Sequence, residues 1–189
     1  MPALDELKFR MAERDDAQAV AALHADSWQR HYRAAYTDAF LDDEAPGFLL
    51  KLWTKRLGAA DPRARTILAE RVRPAGGDVL VGMAHTVLHH DPTWGALLDN
   101  LHVGYGLKRH GLGTRLMSLT ARAVLDDQPG SGLYLWVLEQ NVNGRAFYDA
   151  RGGRRADTVV VPAPEGKAAR LNGRPRALRY AWPDPSPLL

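Results

Sequence analysis

The chain contains no cysteine. That single absence excludes disulfides, thiolate metal centres, iron–sulfur clusters and a cysteine nucleophile. No apolar run approaches the roughly 20 residues that cross a bilayer. The opening stretch Met1-Pro2-Ala3-Leu4-Asp5-Glu6 lacks the basic start and apolar core of a secretory signal. Internal repeats and low-complexity tracts are also missing. What remains is balanced, with 46% hydrophobic and 25% charged residues, which excludes a disordered or fibrous chain. A chain of this length buries about 70% of its unfolded surface and needs no staples to fold. We expect one domain over residues 1–182, a flexible tail over 183–189, a cytoplasmic location and no membrane partner.

Charge is scarce in total, at +3, but unevenly spread. Residues 1–50 carry ten acids against five bases, and residues 145–179 carry nine bases against three acids. A basic segment attracts phosphate-bearing ligands or nucleic acid. Here no aromatics interleave with the bases as in a single-strand binder. We therefore expect these arginines to solvate outer faces, and no nucleic-acid partner.

Hydrophobic spacing orders the elements. Lys8 to Met11 reads as a first strand, and Asp16 as the cap of a helix through Val20, Leu23, Ser27 and Trp28. Tyr32 to Glu44 reads as a surface loop or lid, and about 45–57 as a second helix. Strands follow at 66–72 and 79–89, parted by the turn signal Pro74-Ala75-Gly76-Gly77-Asp78, and at 96–103. Leu112, Leu116, Leu119, Ala123 and Val124 stripe one face of a third helix. Leu133 to Leu138 is a continuous apolar strand, as expected of one buried on both faces. A short helix over 141–150 and strands over 157–161 and 176–182 complete an α/β domain with a mixed sheet.

The segment Leu101-His102-Val103-Gly104-Tyr105-Gly106-Leu107-Lys108-Arg109-His110-Gly111-Leu112-Gly113-Thr114 carries the clearest chemistry. It joins a strand to a helix N-terminus through a basic, Gly-rich bend. Free backbone N–H groups and the helix dipole make such a bend a cradle for phosphate or pyrophosphate. Two nucleotide motifs fail on particular residues. Leu112 and Gly113 stand where a P-loop needs Lys and Ser/Thr, and Leu116 stands at the third glycine of a dinucleotide fingerprint.

A second segment follows one helix and one strand later: Asn141, then Phe147-Tyr148, then Gly152-Gly153. Together the two resemble the GNAT superfamily of N-acetyltransferases. Its signature bend, Gln/Arg-x-x-Gly-x-Gly/Ala, is matched by Lys108 to Gly113, and its later Asn…Phe-Tyr…Gly pattern by Asn141 to Gly153. The first strand and the helix bearing Ser27, Trp28 and Tyr32 are similar too, so the likeness spans about residues 8–182. Three positions depart from it. Lys108 keeps the charge without the guanidinium fork, Tyr105 replaces a common proline, and Gly153 replaces an aromatic and is expected to leave a hole in packing.

The resemblance implies the GNAT acyl-CoA N-acyltransferase fold: a mixed sheet of about six or seven strands, about four helices, and central parallel strands that splay apart around acetyl-CoA. It implies pairing of the Leu101, His102 and Val103 backbone with pantetheine. Pyrophosphate would lie on Lys108, Arg109, His110, Gly111, Leu112, Gly113 and Thr114, with Asn141 on the far side. Tyr148 is the expected acid for the departing thiolate, since a phenol with a pKa of about 10 is matched to an alkyl thiol. Asp99, two residues before Leu101, is the candidate base, a counter-charge for the substrate's cation, or a plain surface carboxylate. Glu139, at the end of the next strand, is the reserve.

Trp28, Tyr32, Tyr36 and Trp94 read as core or as walls of the acceptor pocket, with Tyr32 and Tyr36 favoured as walls and Trp28 as core. The acceptor is expected to be a small-molecule or peptide amine, and relatives of this kind are compatible with a homodimer. No metal is expected: His85 and His89, near His90 and Asp91, would sit roughly 13 Å apart on one strand, too far for one ion. The rival readings are a non-catalytic acyl-CoA-binding or regulatory protein of the same fold and, more weakly, a nucleic-acid binder.

Overall fold

The computed structural model describes residues 7–73, 77–107 and 110–189. Seven strands form one mixed sheet in the order β1-β2-β3-β4-β5-β7-β6. They are β1 (Leu7–Met11), β2 (Ala64–Arg71), β3 (Val79–Asp91), β4 (Gly95–Val103), β5 (Leu133–Leu138), β6 (Arg154–Val160) and β7 (Arg176–Trp182). Neighbours pair antiparallel except at the centre, where β4 and β5 run parallel. The helices are α1 (Ala17–His31), α2 (Ala45–Gly58), α3 (Leu112–Asp127) and α4 (Val142–Ala150).

Alternation along the strands divides the core between two faces. Leu112, Leu116 and Met117 of α3 pack on Ala84, Ala96, Leu98, Leu133 and Leu135. On the other face, Val20 and Ala21 of α1 and Leu49 and Trp53 of α2 cover Leu68 and Met83. Beyond those helices lies a smaller cluster of Leu97, Tyr134 and Ala181, flanked by Trp94 and Trp136.

Three local expectations change. Asp16 precedes α1 but makes no side-chain cap to it. Its carboxylate instead accepts from the Glu13 N–H at 2.7 Å and takes both amino groups of Arg10 at 2.7 Å, fixing the turn between β1 and α1. The segment from Tyr32 to Glu44 is not a surface loop: Ala35, Tyr36, Phe40 and Leu41 are buried, and Phe40–Glu44 is a π-helical turn running into α2. Its aromatic spacing, read as a lid, is a small core of its own with Leu138. The expected loose tail folds back as a turn at Ser186–Leu188, with Leu188 buried against the α3 cluster.

The buried Arg170 side chain reaches Glu44 and Glu165 and lies over the Phe40 ring at 4.9 Å. Nearby, Asn172 donates to the carbonyls of Arg33 and Tyr36 at 2.7 and 2.9 Å, and Tyr36 bridges Leu171. The β6–β7 connection and the α1–α2 connection are thereby joined into one wall.

Candidate active site

The central parallel pair hydrogen-bonds only at its start, Ala96 with Leu133 and Leu97 with Tyr134. Beyond it, β4 stays paired to β3 as far as Val103 and β5 to β7 as far as Leu138. Two strand edges with unsatisfied backbone groups therefore face each other across a widening gap, an arrangement suited to an extended amide-bearing ligand. The Leu101 and Val103 side chains pack toward the α3 cluster. His102 turns the other way, its Nδ1 2.9 Å from Ser27 Oγ and its ring 4.3 Å from that of His24.

At the mouth of the gap β4 carries a bulge: His85 pairs Asn100 and Thr86 pairs Leu98, which leaves Asp99 as the extra residue. A bulge re-aims its side chains. Here it lets Arg56 of α2 donate to Asp99 Oδ2 at 2.6 Å and to Asn100 Oδ1 at 2.8 Å. Asp99 is thus a fixed anion rather than a loose surface carboxylate.

Gly111 caps α3 with φ +79°, in the left-handed region that favours glycine. A Cβ on Gly113 would stand 3.4 Å from the Phe147 ring, about van der Waals contact with α4. The first turn of α3, from Leu112 through Gly113 and Thr114, presents its unpaired N–H groups here. His110 precedes it, while Lys108 and Arg109 lie outside the described residues. Asn141 caps α4, its Oδ1 accepting from the Gly144 N–H at 3.0 Å, which leaves its amide N–H groups for other partners.

Tyr148 of α4 packs against Phe147, Tyr180 and Trp182, with ring centres 5.3, 5.7 and 6.2 Å away. Burial holds its phenol well above the usual range. Burial does the same to Tyr32, with smaller contributions from Tyr148, Tyr36 and Asp99. Tyr36 is pushed up to about 12 by burial. Trp28 stacks on Tyr36 at 5.1 Å and on Tyr32 at 5.7 Å. Tyr36 itself is core, whereas Tyr32 is only partly covered. Glu139 is half exposed and 3.9 Å from Arg176, at the outer end of β5.

Gly153 leaves no hole. A Cβ there would stand 2.7 Å from the Trp182 ring and 2.9 Å from Tyr180, because those side chains occupy the space of the expected aromatic. The histidines of β3 also separate. His85 Nδ1 meets Thr66 Oγ1 at 2.7 Å in the interior, and burial lowers it to about 4. His89 Nε2 meets Asp127 at 2.7 Å, and His90 meets the Tyr134 hydroxyl.

Sequence reasoning missed Arg56, Arg170 and Arg179. Arg170 and Arg179 belong to the basic stretch expected to be solvated, yet their side chains are 7% and 15% exposed. Acids distant in sequence and aromatic neighbours draw them in, and composition carries neither signal.

The described residues thus bring together an open cleft between parallel strands, a glycine-capped helix at one end and a half-buried phenol beside it. The Acetyltransferase (GNAT) family profile matches residues 17–152. The chain belongs to that family and is an N-acetyltransferase. It is 26% identical over 148 residues to a probable N-acetyltransferase of Mycobacterium tuberculosis, covering 77% of this chain and 78% of that protein. Its fold is similar to that of PaiA N-acetyltransferase from Thermoplasma acidophilum, solved with coenzyme A (TM-score 0.66, 14% identity, 93% of this chain and 99% of that one). It is likewise similar to spermidine N-acetyltransferase from Vibrio cholerae, solved with CoA and spermine (TM-score 0.66, 15% identity, 98% and 99%). No described helix is long and apolar enough to cross a membrane.

Proposed function

We propose that this protein transfers the acetyl group of acetyl-CoA to a primary amine by direct attack in a ternary complex. The observation that carries the proposal is the gap between β4 and β5, with Asp99 at its bulged mouth. CoA complexes among proteins of similar fold support the donor. Pantetheine lies along the free edge of β4 at Leu101 to Val103, and pyrophosphate on the first turn of α3, with Asn141 donating from the other side.

The neutral amine nitrogen attacks the thioester carbon, and a C–N bond forms as the carbonyl oxygen gains charge. Backbone N–H groups at the β4 bulge stabilise that oxyanion. The C–S bond then breaks, and the Tyr148 hydroxyl protonates the departing thiolate. Burial keeps the phenol protonated until the thiolate appears, but it also makes the phenol a weaker acid than a free one, so the transfer depends on the thiolate emerging in the same desolvated site. The amine's surplus proton leaves through water or to Asp99. Held by Arg56 at 2.6 Å, Asp99 also offers a counter-charge to the incoming ammonium.

Calorimetry with acetyl-CoA, followed by thiol release against a panel of primary amines, tests this. Binding together with amine-dependent release is expected. Failure to bind acetyl-CoA overturns the reading of the cleft, and binding without release on any amine overturns the proposed transfer.

A further inference from the structure

Arg179 of β7 stands opposite Trp136 of β5, on the sheet face that also carries Asp99. Its guanidinium carbon is 4.5 Å from the Trp94 ring, 4.6 Å from Trp136 and 5.1 Å from Tyr134. Those rings attract a cation but offer it no strong acceptor. Nε and Nη1 are buried without a hydrogen-bond partner, which leaves Nη2 as the one nitrogen not enclosed. Asp157 of β6 lies 3.2 Å from Nε, outside hydrogen-bonding geometry. A guanidinium is always charged and carries five N–H donors. Held among three rings and ion-paired to Asp157, it keeps Nη2 as the donor left for a further oxygen, as a ligand carboxylate would supply.

Its position relates it to the reaction. Leu97, Tyr134 and Ala181 form one cluster across β4, β5 and β7. Asp99, Trp136 and Arg179 each lie two residues further toward the open end, on the same face. Two strand spacings put Asp99 and Arg179 about 10 Å apart at the backbone, more where the strands splay. Arg179 lies over the Tyr134 ring at 5.1 Å, and the Tyr134 phenol is raised mainly by burial.

We propose that Arg179 docks a carboxylate of the acceptor, so that the acceptor is an amine bearing a carboxylate several bonds away: an ω-amino acid or a short peptide. Its ammonium lies at Asp99 and Tyr32, and its chain runs past Trp136. The Asp157 carboxylate already facing Arg179 disfavours a doubly charged phosphate relative to a single carboxylate. The proposal rests on the acetyl-transfer reading above and specifies its substrate class.

The test compares 6-aminohexanoate with hexylamine, which share chain length and amine and differ in the carboxylate. The expected result is a kcat/KM about 10- to 100-fold higher for the carboxylate, the range of a charge-assisted hydrogen bond. In Arg179→Met, which keeps an apolar filling among the rings, that ratio falls toward one. Indole NMR signals of Trp94 and Trp136 provide a readout without turnover: 6-aminohexanoate shifts them further than hexylamine does in the wild type, and that difference disappears in Arg179→Met. Equal rates for the two amines, a preference that survives Arg179→Met, or indoles indifferent to 6-aminohexanoate overturns the proposal. So does a wild-type dimer that Arg179→Met converts to monomer, since the cage then serves a second copy of the chain. Acetyl-CoA binding is measured alongside, and its loss would point to the cleft rather than to Arg179.

Discussion

Arg56 holds Asp99 at 2.6 Å, and its other amino group holds Asn100 at 2.8 Å, so one side chain of α2 spans both residues made neighbours by the bulge in β4. The carboxylate at the mouth of the cleft is oriented before any substrate arrives. Arg56→Met is expected to lower kcat/KM for the amine about 10- to 100-fold, chiefly through KM, as Asp99 loses its fixed position. Arg56→Lys recovers only part, because an ammonium lacks the fork that reaches two acceptors. Asp99→Asn separates the two roles: a counter-charge raises KM, whereas a base lowers kcat and flattens the pH profile. Steady-state kinetics with the amine varied check all three.

Tyr148→Phe removes one oxygen and keeps the packing against Tyr180 and Trp182. Loss of a general acid lowers kcat by about 10²- to 10⁴-fold, with acetyl-CoA still bound. Burial raises the phenol above its ordinary 10, so the wild-type rate is expected to show no descending limb below pH 9. A pH–rate profile of kcat, run with acetyl-CoA saturating, reads this directly.

Gly153→Ala places a methyl group where the Trp182 and Tyr180 rings stand at 2.7 and 2.9 Å. Overpacking of this kind costs about 1–3 kcal/mol. A fall in urea midpoint with unchanged slope is the expected result. Full stability would mean that the two rings yield at little cost.

His24 and His85 make stability depend on pH. Trp53 Nε1 donates to His24 Nδ1 at 3.1 Å, which requires a neutral ring, and burial holds His24 well below the ordinary 6.5. Burial lowers His85 to about 4. Below pH 6.5 the unfolded imidazoles take up protons and the folded ones do not, so the unfolded chain binds more. Stability is complete above about pH 6.5 and falls on acidification, by up to about 1.4 kcal/mol per pH unit for each histidine, with the His85 part exhausted near pH 4. Urea titrations at pH 7, 6 and 5 are expected to show that decline, and His85→Asn to lessen it.

The element order and the glycine-capped turn into α3 are legible because their signals are local. Glycines at 111 and 113, Asn141 and the apolar run of β5 act through their own backbone and immediate neighbours. The aromatic stretch from Tyr32 to Phe40 misled because large rings look alike in a pocket wall and in a small core, and only the partners, Leu138 and Leu171, distinguish them. Arg56 was invisible for a related reason: it lies 43 residues before Asp99, and the bulge that unites them leaves no mark in the residue pattern. Gly153 shows the same limit from the other side, since the rings filling its space come from β7.

The tie through Arg170 and Asn172 has an evolutionary reading. Glu44 and Arg170 are 126 residues apart in the chain, yet they close one wall beside the cleft. A change of acceptor preference made by replacing the β6–β7 connection alone would strand Glu44, the Phe40 ring and the carbonyls of Arg33 and Tyr36 without their partners. Exchange of the β6–β7 connection between relatives is therefore expected to keep this wall intact only when the α1–α2 connection is carried with it.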